Sequence, residues 1–268
     1  MTPEEHTRAA EALFQAEASG KQIGLLSLAH PGMTLDDAYA VQSALVARKL
    51  AAGRRVIGWK IGLTSRAMQD ALKIDTPDSG VLFDDMLFAD GAVVPAGRFI
   101  QPRIEAEIAF VLQAPLRGAD VTRADVLAAT ESVAPSLEIL DTRILRADPA
   151  TGKARIITDT VSDNAANAGI VLGAQRHDPA AIDLRWAGVI LKRDGVVEET
   201  GLGAGVLDDP VTGIIWLVRR LAQYGQGLSA GEVVLSGSFV RPVEAPPGSR
   251  FAADFGSFGS VSIDFAQG

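Results

Sequence analysis

The sequence contains no cysteine and little histidine, and both shortages restrict its chemistry. Among the 268 residues there are no cysteines and only three histidines, which lie far apart at His6, His30 and His177. Without cysteine there are no disulfides and no thiolate nucleophile. A zinc site is usually built from several cysteine or histidine ligands, so zinc is not expected. The chemistry of the chain must therefore rest on oxygen and nitrogen groups.

An excess of positive charge and a long apolar run are also missing. The 25 basic residues are outnumbered by 33 acidic ones, which gives a net charge of −8. Nucleic acids and anionic membranes attract basic surfaces, so neither is an expected partner. No apolar stretch approaches the roughly 20 residues that span a bilayer, and no apolar signal segment follows the acidic start at residues 1–5. We therefore expect a cytoplasmic protein.

The most informative stretch covers residues 101–112, whose β-branched and aromatic content predicts a strand. Side chains alternate between the two faces of a strand, so Glu105 and Glu107 are expected on the same face. The opposite face is expected to be apolar, with Ile104, Ala106, Ile108 and Phe110. Because unpaired carboxylates are costly to bury, either the glutamate face is solvated or a cation neutralises it.

A third carboxylate favours the cation. Glu138 stands alone among hydrophobic residues in a second predicted strand, at residues 132–141. Three carboxylates on two strands could converge on a hard divalent cation such as Mg²⁺, Mn²⁺ or Ca²⁺, which prefers oxygen ligands. Such a site would leave positions open for water and substrate. A solvated sheet face and a structural Ca²⁺ site are the alternatives that the residues leave open.

The pattern of predicted elements favours an α+β fold. Capping boxes begin helices at Thr2 and Thr34, and glycines end them at Gly20 and Gly53. We interpret residues 1–54 as an N-terminal helical cap or subdomain. Residues 55–268 are predicted to form a β-rich catalytic domain, in which a mostly antiparallel or mixed sheet is rolled up or barrel-like.

Several short segments of the predicted β-rich domain predict a ligand-binding position or a local element of structure. Lys60 lies between two glycines in a strand at residues 55–62, where a ligand can approach closely; an exposed edge lysine is the alternative. The polar run at 162–167 predicts either an ordinary turn or a loop that lines a ligand site. Elsewhere the sequence predicts a short helix at 66–73, hairpins across 81–94 and 186–200, and an exposed loop at 145–159.

Five motifs together resemble the hydratase and decarboxylase branch of the fumarylacetoacetate hydrolase superfamily, over nearly the whole chain. They are Gly58-Trp59-Lys60-Ile61-Gly62-Leu63-Thr64-Ser65, Pro77-Asp78-Ser79-Gly80, Gln101-Pro102-Arg103-Ile104-Glu105, Ser162-Asp163-Asn164-Ala165-Ala166-Asn167-Ala168-Gly169 and Gly256-Ser257-Phe258-Gly259-Ser260-Val261. The branch acts in the meta-cleavage breakdown of aromatic compounds such as homoprotocatechuate. Its fold, a β-roll with an N-terminal helical cap, is the fold expected here, and the fourth motif is most similar to that of its heptenedioate hydratases.

The resemblance implies a divalent-metal centre and a pair of catalytic residues. Mg²⁺, with Mn²⁺ as a substitute, would bind Glu105, Glu107 and Glu138 and hold a 2-oxo acid. Lys60 and Asp78 would supply the proton transfers, and which of them is the base and which the acid stays open. The expected reaction is the addition of water to a 2-oxo or 2-hydroxy alkenoic acid.

The resemblance also implies substrate ligands. Ser238 matches a hydroxyl that binds the substrate carboxylate, and Asn164 is a second candidate. For a far carboxylate the candidates are Arg66, Arg103 and Arg143, each of which has a structural ion pair as its alternative role.

Two features distinguish the chain from other members of the superfamily, one from the hydrolase branch and one from the decarboxylases of its own branch. The hydrolases place a catalytic lysine downstream of the third acid, where this chain has Asp163, and Lys153 falls in a predicted loop. Hydrolase chemistry is therefore not carried over. The decarboxylases have an apolar residue at the position of Asp78, so the acid here favours hydration.

Other functions remain alternatives within the resemblance. They are hydration of the shorter 2-hydroxypenta-2,4-dienoate, 4-oxalocrotonate decarboxylation, and a non-catalytic role as the partner of a decarboxylase. An intact set of site residues argues against the non-catalytic role. A homo-oligomer is expected.

Overall fold

The computed structural model describes residues 1–66, 69–70, 74 and 76–268. The helices are α1 Pro3–Ser19, α2 Leu26–Ala29, α3 Leu35–Ala51, α4 Arg123–Ala129, α5 Ile157–Ser162 and α6 Pro210–Ala222. The strands are β1 Val56–Gly62, β2 Asp78–Phe83, β3 Leu87–Phe88, β4 Val93–Val94, β5 Arg103–Leu112, β6 Leu116–Arg117, β7 Thr130–Leu140, β8 Asn167–Leu172, β9 Gly188–Arg193, β10 Val196–Leu202, β11 Gly227–Leu228, β12 Val233–Leu235, β13 Val243–Glu244, β14 Arg250–Asp254 and β15 Ser260–Phe265. Most of the helix predicted at 66–73 lies outside the described residues.

The N-terminal helices pack on an apolar cluster of their own. Both predicted capping boxes are present, at Thr2 with Glu5 and at Thr34 with Asp37. The cluster between the helices contains Ala9, Ala10, Leu13, Leu25, Leu26, Val41, Leu45 and Ile144. Helix α3 also reaches the sheet, because the amide of Gln42 donates to the carbonyl oxygen of Ser79 at 2.8 Å. None of the described helices is both long and apolar enough to cross a membrane.

The large sheet confirms a mixed α+β fold with a curled, half-barrel sheet. Over the described residues its strand order is β2-β1-β12-β5-β7-β8-β3, and β13 pairs with β5. Neighbours run antiparallel except for β1 with β12 and β3 with β8, which are parallel. Strands β5 and β7 pair along most of their length, with Glu105 directly opposite Glu138. This register positions the site.

The main core lies on one face of this sheet. The even-numbered side chains of β5, from Ile104 to Phe110, are fully buried in it. They share the core with side chains of the second sheet, whose strand order is β10-β9-β14-β15-β4, and with the apolar face of α6. The predicted alternation along β5 is thereby confirmed, and the odd-numbered residues face the other way.

Of three local predictions, one was right, one was wrong and one was right only in part. The hairpin at 186–200 is present as β9 and β10, joined by a turn at Asp194 and Gly195. The hairpin at 81–94 is absent: β3 pairs with β8 and β4 pairs with β15, because these flanking strands find neighbours that are distant in sequence. Residues 145–159 are not simply an exposed loop, since Ala147 bridges Ala154 and α5 begins within the segment.

Candidate metal centre

The pairing of β5 with β7 brings three carboxylates together. Glu105 and Glu107 are two residues apart on one face of β5, and Glu138 lies across the strand pair from Glu105. One carboxylate oxygen from each of the three lies within 4.8 Å of the others. Glu107 and Glu138 are completely buried, and Glu105 is partly exposed. Convergence of the three acids, which the sequence predicted, is confirmed.

The three carboxylates fit a hard divalent cation. Among the described residues, Oε1 of Glu107 and Oε2 of Glu138 are buried without a hydrogen-bond partner. An unpaired buried carboxylate oxygen carries a large desolvation cost, which a bound cation would remove. All the donors are oxygen atoms, the ligands that Mg²⁺, Mn²⁺ and Ca²⁺ prefer.

The pKa values of the glutamates also indicate that the cluster lacks positive charge. Burial, together with the neighbouring charge of Glu138, raises the pKa of Glu105 to about 8. Burial also raises the pKa of Glu107 well above its ordinary value, and Glu138 and Glu105 add to the effect. Like charges held this close cannot all ionise easily without a compensating cation.

Two hydrogen bonds from neighbouring elements fix the orientation of the acids. The backbone N–H of Gly237 donates to Oε2 of Glu107 at 2.8 Å. The side-chain amide of Asn167 donates to Oε1 of Glu138, also at 2.8 Å. Sequence reasoning assigned no role to either donor. Asn167 closes the polar run at 162–167, which was a usable signal, whereas a backbone N–H leaves no trace in the sequence.

Lys60 projects from β1 into the same cluster. Its Nζ lies 3.5 Å from Oε1 of Glu138 and 4.0 Å from Oδ1 of Asp78, and its side chain is almost fully buried. Burial alone would lower the pKa of Lys60, but the charges of Glu138 and Asp78 outweigh burial and raise it. The structure therefore holds a protonated amine between two acids, away from any exposed sheet edge.

Asp78, at the start of β2, has space only because its neighbour is a glycine. A Cβ atom at Gly62 would lie 2.2 Å from Oδ1 of Asp78 and 2.9 Å from Nζ of Lys60. The glycines around Lys60 were expected to allow close approach, and Gly62 does so. Burial raises the pKa of Asp78, and the positive charge of Lys60 offsets part of the rise.

The other predicted site residues take different positions. Ser238 follows Gly237 directly, and its hydroxyl donates to the carbonyl oxygen of Val240 at 2.7 Å. Asn164 is buried, and both polar atoms of its side-chain amide bond the backbone of Val81 on β2, each at 2.8 Å. Asn164 thus ties β2 to the polar run.

Neither Arg66 nor Arg143 is placed to bind a substrate at the three glutamates. The side chain of Arg66 is 81% exposed, and its nearest acid is Asp208, at 4.0 Å. Arg143 is buried and bonds Asp163, whose carboxylate lies 2.5 Å from its Nε. Arg143 also donates to the carbonyl oxygen of Asn167 at 3.1 Å, which supports the residue that holds Glu138.

Apolar side chains continue along the glutamate face beyond the charged groups. They are Leu82, Ala109, Ile170 and Leu235, all with no exposed surface. Their presence keeps water away from one side of the cluster and lowers the local dielectric. Charges in such surroundings act on each other and on a bound ion more strongly than they would in water.

The chain is similar in sequence to known proteins over nearly its whole length. No family model matches the chain. The chain is 50% identical over 260 residues to 2-oxo-hept-4-ene-1,7-dioate hydratase of Escherichia coli, covering 97% of both chains. It is 42% identical over 265 residues to 2-keto-4-pentenoate hydratase of Paraburkholderia xenovorans (strain LB400), covering 99% of this chain and 96% of the relative.

A solved structure resembles the whole chain. The 4-oxalocrotonate decarboxylase from Pseudomonas putida G7, complexed with magnesium and adipate, has a TM-score of 0.92 and 34% sequence identity, and the match covers 99% of this chain and 98% of that one. The same enzyme complexed with calcium and acetate gives a TM-score of 0.91. These relatives are named as enzymes, and the two structures of the decarboxylase contain magnesium or calcium.

Proposed function

The chain belongs to the hydratase and decarboxylase branch of the fumarylacetoacetate hydrolase superfamily, and we propose that it hydrates 2-oxohept-4-ene-1,7-dioate to 4-hydroxy-2-oxoheptanedioate. The reaction is that of a hydro-lyase in the breakdown of aromatic compounds by meta-cleavage. The choice of substrate is supported by the identity of 50% to the Escherichia coli heptenedioate hydratase over 97% of each chain.

The observation that carries the proposal is the buried constellation on one sheet face. Three carboxylates lie within 4.8 Å of one another, and Lys60 stands between Glu138 and Asp78. A structural ion site would need the carboxylates but neither a buried lysine nor a second buried acid beside it. The same constellation argues against a purely non-catalytic partner.

Glu105, Glu107 and Glu138 would hold Mg²⁺, for which Mn²⁺ could substitute. Bound there, the cation would act as a Lewis acid toward the carboxylate and 2-oxo oxygens of the substrate and favour negative charge at the C2 oxygen. The hydrogen bonds from Gly237 and Asn167 keep the acids oriented for this task.

Lys60 is proposed to stabilise or protonate the enolate of the substrate. Its ammonium group is held charged by Glu138 and Asp78, so it presents a donor wherever negative charge develops beside the carboxylates. Because the group is buried, its effect on that charge is stronger than in water.

Asp78 is proposed to activate the water that adds to the double bond. Its Oδ1 is buried without a hydrogen-bond partner among the described residues, so one lone pair is available for a water proton. A raised pKa makes this carboxyl a better base than an ordinary aspartate. An exchange of the acid and base roles between Asp78 and Lys60 is the alternative mechanism.

The remaining assignments follow from position. Ser238 is proposed as a ligand of the substrate's C1 carboxylate, because its neighbour Gly237 contacts Glu107. Asn164 and Arg66 are the further substrate-ligand candidates.

Residues 1–54 are proposed to act as a cap on the catalytic domain, since Gln42 of α3 donates a hydrogen bond to the carbonyl oxygen of Ser79, beside Asp78. A cytoplasmic homo-oligomer that associates with a decarboxylase completes the proposal.

Decarboxylation is the second candidate, because the decarboxylase from Pseudomonas putida G7 has a TM-score of 0.92 to the whole chain. It would use the same acids to hold the 2-oxo acid but would not need Asp78 as a base for water. Hydration of a shorter dienoate is the other alternative, supported by the 42% identity to the pentenoate hydratase.

The deciding experiment adds fresh 2-hydroxyhepta-2,4-dienedioate to the purified protein with Mg²⁺, and repeats the assay with EDTA. Loss of dienol absorbance and product masses would be followed, with the Glu138→Gln variant as a control. We expect a product heavier by one water, formed only with the metal. Loss of carbon dioxide from 2-oxohex-3-enedioate, with no hydration of any dienol, would assign the decarboxylase function instead, and no reaction with either substrate would leave the partner role.

A further inference from the structure

The proposed substrate has a second carboxylate, and the metal centre does not account for it. The inference below rests on the proposed function. A heptenedioate held at its 2-oxo acid end would extend its other carboxylate along the sheet face. Leaving that carboxylate buried without a cation would be costly. The chain should therefore hold a positive group at a distance from the three glutamates.

An arm of the chain brings one arginine to that region. Residues 146–155 fold back on themselves, since Ala147 bridges Ala154 and the N–H of Arg155 donates to the carbonyl oxygen of Arg146 at 3.0 Å. The base of the arm rests against the residues that precede β5, because Arg146 donates to the carbonyl oxygen of Gln101 at 2.9 Å. Arg155 is thus held near the residues that lead into β5, the strand that carries Glu105.

Arg155 has an unusually poor set of partners for a largely buried arginine. Its Nη1 donates to the hydroxyl of Thr142 at 2.6 Å, a neutral acceptor. Among the residues that the structure describes, Arg155 forms no ion pair, although the negative charge of Asp163 acts to raise its pKa. The carboxylate of Asp163 is already bonded by Arg143. Within the described part of the chain, four of the five N–H donors of Arg155 therefore have no partner and remain for another group.

The surrounding charges add to the positive field. Arg103 and Arg146 both bond the single carboxylate of Glu244, so two cations share one acid. Burial and the charges of Arg103, Arg146 and Arg143 lower the pKa of Arg155, although Asp163 opposes them. An added anion would relieve this repulsion.

The distances along the face suit a dicarboxylate. Arg103 lies two residues before Glu105 on β5 and on the same face, about 7 Å away by the rise of a strand. Arg155 approaches the same end from β7, because its partner Thr142 follows two residues after Leu140, which pairs with Arg103. Arg103 and Arg155 thus lie at the same end of the strand pair that carries the three glutamates.

We propose that Arg155 binds the distal carboxylate of the substrate and makes the enzyme selective for dicarboxylates, with Arg103 adding to the positive field. The two other arginines considered from the sequence are less suited to the task. Arg143 is already bonded to Asp163, and the side chain of Arg66 is 81% exposed near Asp208. Sequence reasoning missed Arg155 because it placed the residue in an exposed loop.

The test compares two substrates in four proteins. Wild type, Arg155→Gln, Arg155→Lys and the control Arg185→Gln would be assayed with 2-hydroxyhepta-2,4-dienedioate and with 2-hydroxypenta-2,4-dienoate. Arg185 forms an exposed ion pair with Asp183 and makes a matched control. For Arg155→Gln we expect kcat/KM for the dicarboxylate to fall between about 10-fold and 100-fold, mainly through KM, because a charged hydrogen bond is lost. The monocarboxylate should be little affected, and Arg155→Lys should recover part of the loss.

Equal losses of kcat/KM with both substrates, or no loss with either, would overturn the proposal, because either result would leave Arg155 without a role in selecting the substrate. A binding assay separates this outcome from failure of the proposed hydration. Calorimetry with Mg²⁺ and the unreactive 2-oxoheptanedioate or 2-oxopentanoate needs no turnover. Wild type should bind the dicarboxylate more tightly, and Arg155→Gln should lose that preference; a wild type without the preference would also refute the inference.

Discussion

The two faces of β5 are both largely buried, yet they are built in opposite ways. On the even-numbered face, Ile104, Ala106, Ile108 and Phe110 pack into the main core with no polar group to satisfy. On the odd-numbered face, Glu105 and Glu107 meet Glu138 and leave carboxylate oxygens without partners among the described residues. One strand thus separates a region that stabilises the fold from a region that strains it.

Burial alone therefore does not distinguish a core from a binding site. The apolar face gains from removal of its surface from water. The glutamate face carries a desolvation cost that a bound cation would offset, so its residues are explained by what they bind. The two faces should therefore respond differently to the same kind of change.

Glu138→Gln should break the glutamate face most severely. The change removes one negative charge from the metal ligands and leaves the size of the side chain unchanged. We expect weaker Mg²⁺ binding by calorimetry and a loss of kcat/KM of at least about 10³-fold, since a group acting on transition-state charge is lost. Glu131→Gln, on the exposed start of the same strand, is the control. Full activity in Glu138→Gln would rule out the three-carboxylate centre.

Asp78→Asn should separate water activation from metal binding. The amide cannot accept a proton as a carboxylate does, so hydration should fall by about 10²-fold to 10³-fold. The Mg²⁺ dissociation constant should stay within a few-fold of wild type, because Asp78 is outside the three ligands. Asp120→Asn, at an exposed position, provides the comparison. A hydration rate equal to wild type would remove Asp78 from the mechanism.

Ile108→Ala should damage the apolar face without touching the metal centre. Ile108 has no exposed surface, so truncation should lower the free energy of unfolding by about 2–5 kcal/mol. Chemical denaturation would measure the loss, and the Mg²⁺ affinity of the folded variant should be unchanged. Ile190→Ala, on β9 where the side chain is 41% exposed, should have little effect. Loss of metal affinity in Ile108→Ala would mean that the two faces are not independent.

The pH dependence of metal binding should be the mildest effect. Because the pKa of Glu105 is raised from 4.5 to about 8, Mg²⁺ must displace a proton from it at neutral pH. The contribution of this group to the stability of the metal-free protein is full below pH 4.5 and is lost as the pH rises through 8. The rise in Tm that Mg²⁺ gives should therefore grow between pH 6 and pH 8, with KCl at equal ionic strength as the control. A pH-independent rise would contradict the raised pKa.

The sequence predicted the parts that depend on local periodicity. Alternation along residues 101–112 placed Glu105 and Glu107 together, and the capping boxes located both long N-terminal helices. The turn at Asp194 and Gly195 predicted its hairpin for the same reason, because neighbouring residues carry the whole signal.

What the sequence did not predict depends on contacts between distant segments. The turn at Gly91 is present, with a φ of 74° that glycine adopts readily, but its strands pair with β8 and β15 instead of each other. The donors to the metal ligands, Asn167 and the backbone of Gly237, come from other parts of the chain. No local pattern records such partners, and Arg155 escaped notice for the same reason.

The register that joins distant strands at the centre also governs when the centre can form during folding. Its groups are spread along the chain, at Lys60, Asp78, Glu105, Glu138, Asn167 and Gly237. Contacts this far apart in sequence form late, because many loops must close first. A growing chain on the ribosome would lack the Gly237 donor until most of its residues had been synthesised. The ion should therefore enter at the end of folding, after the strands that carry its ligands have paired.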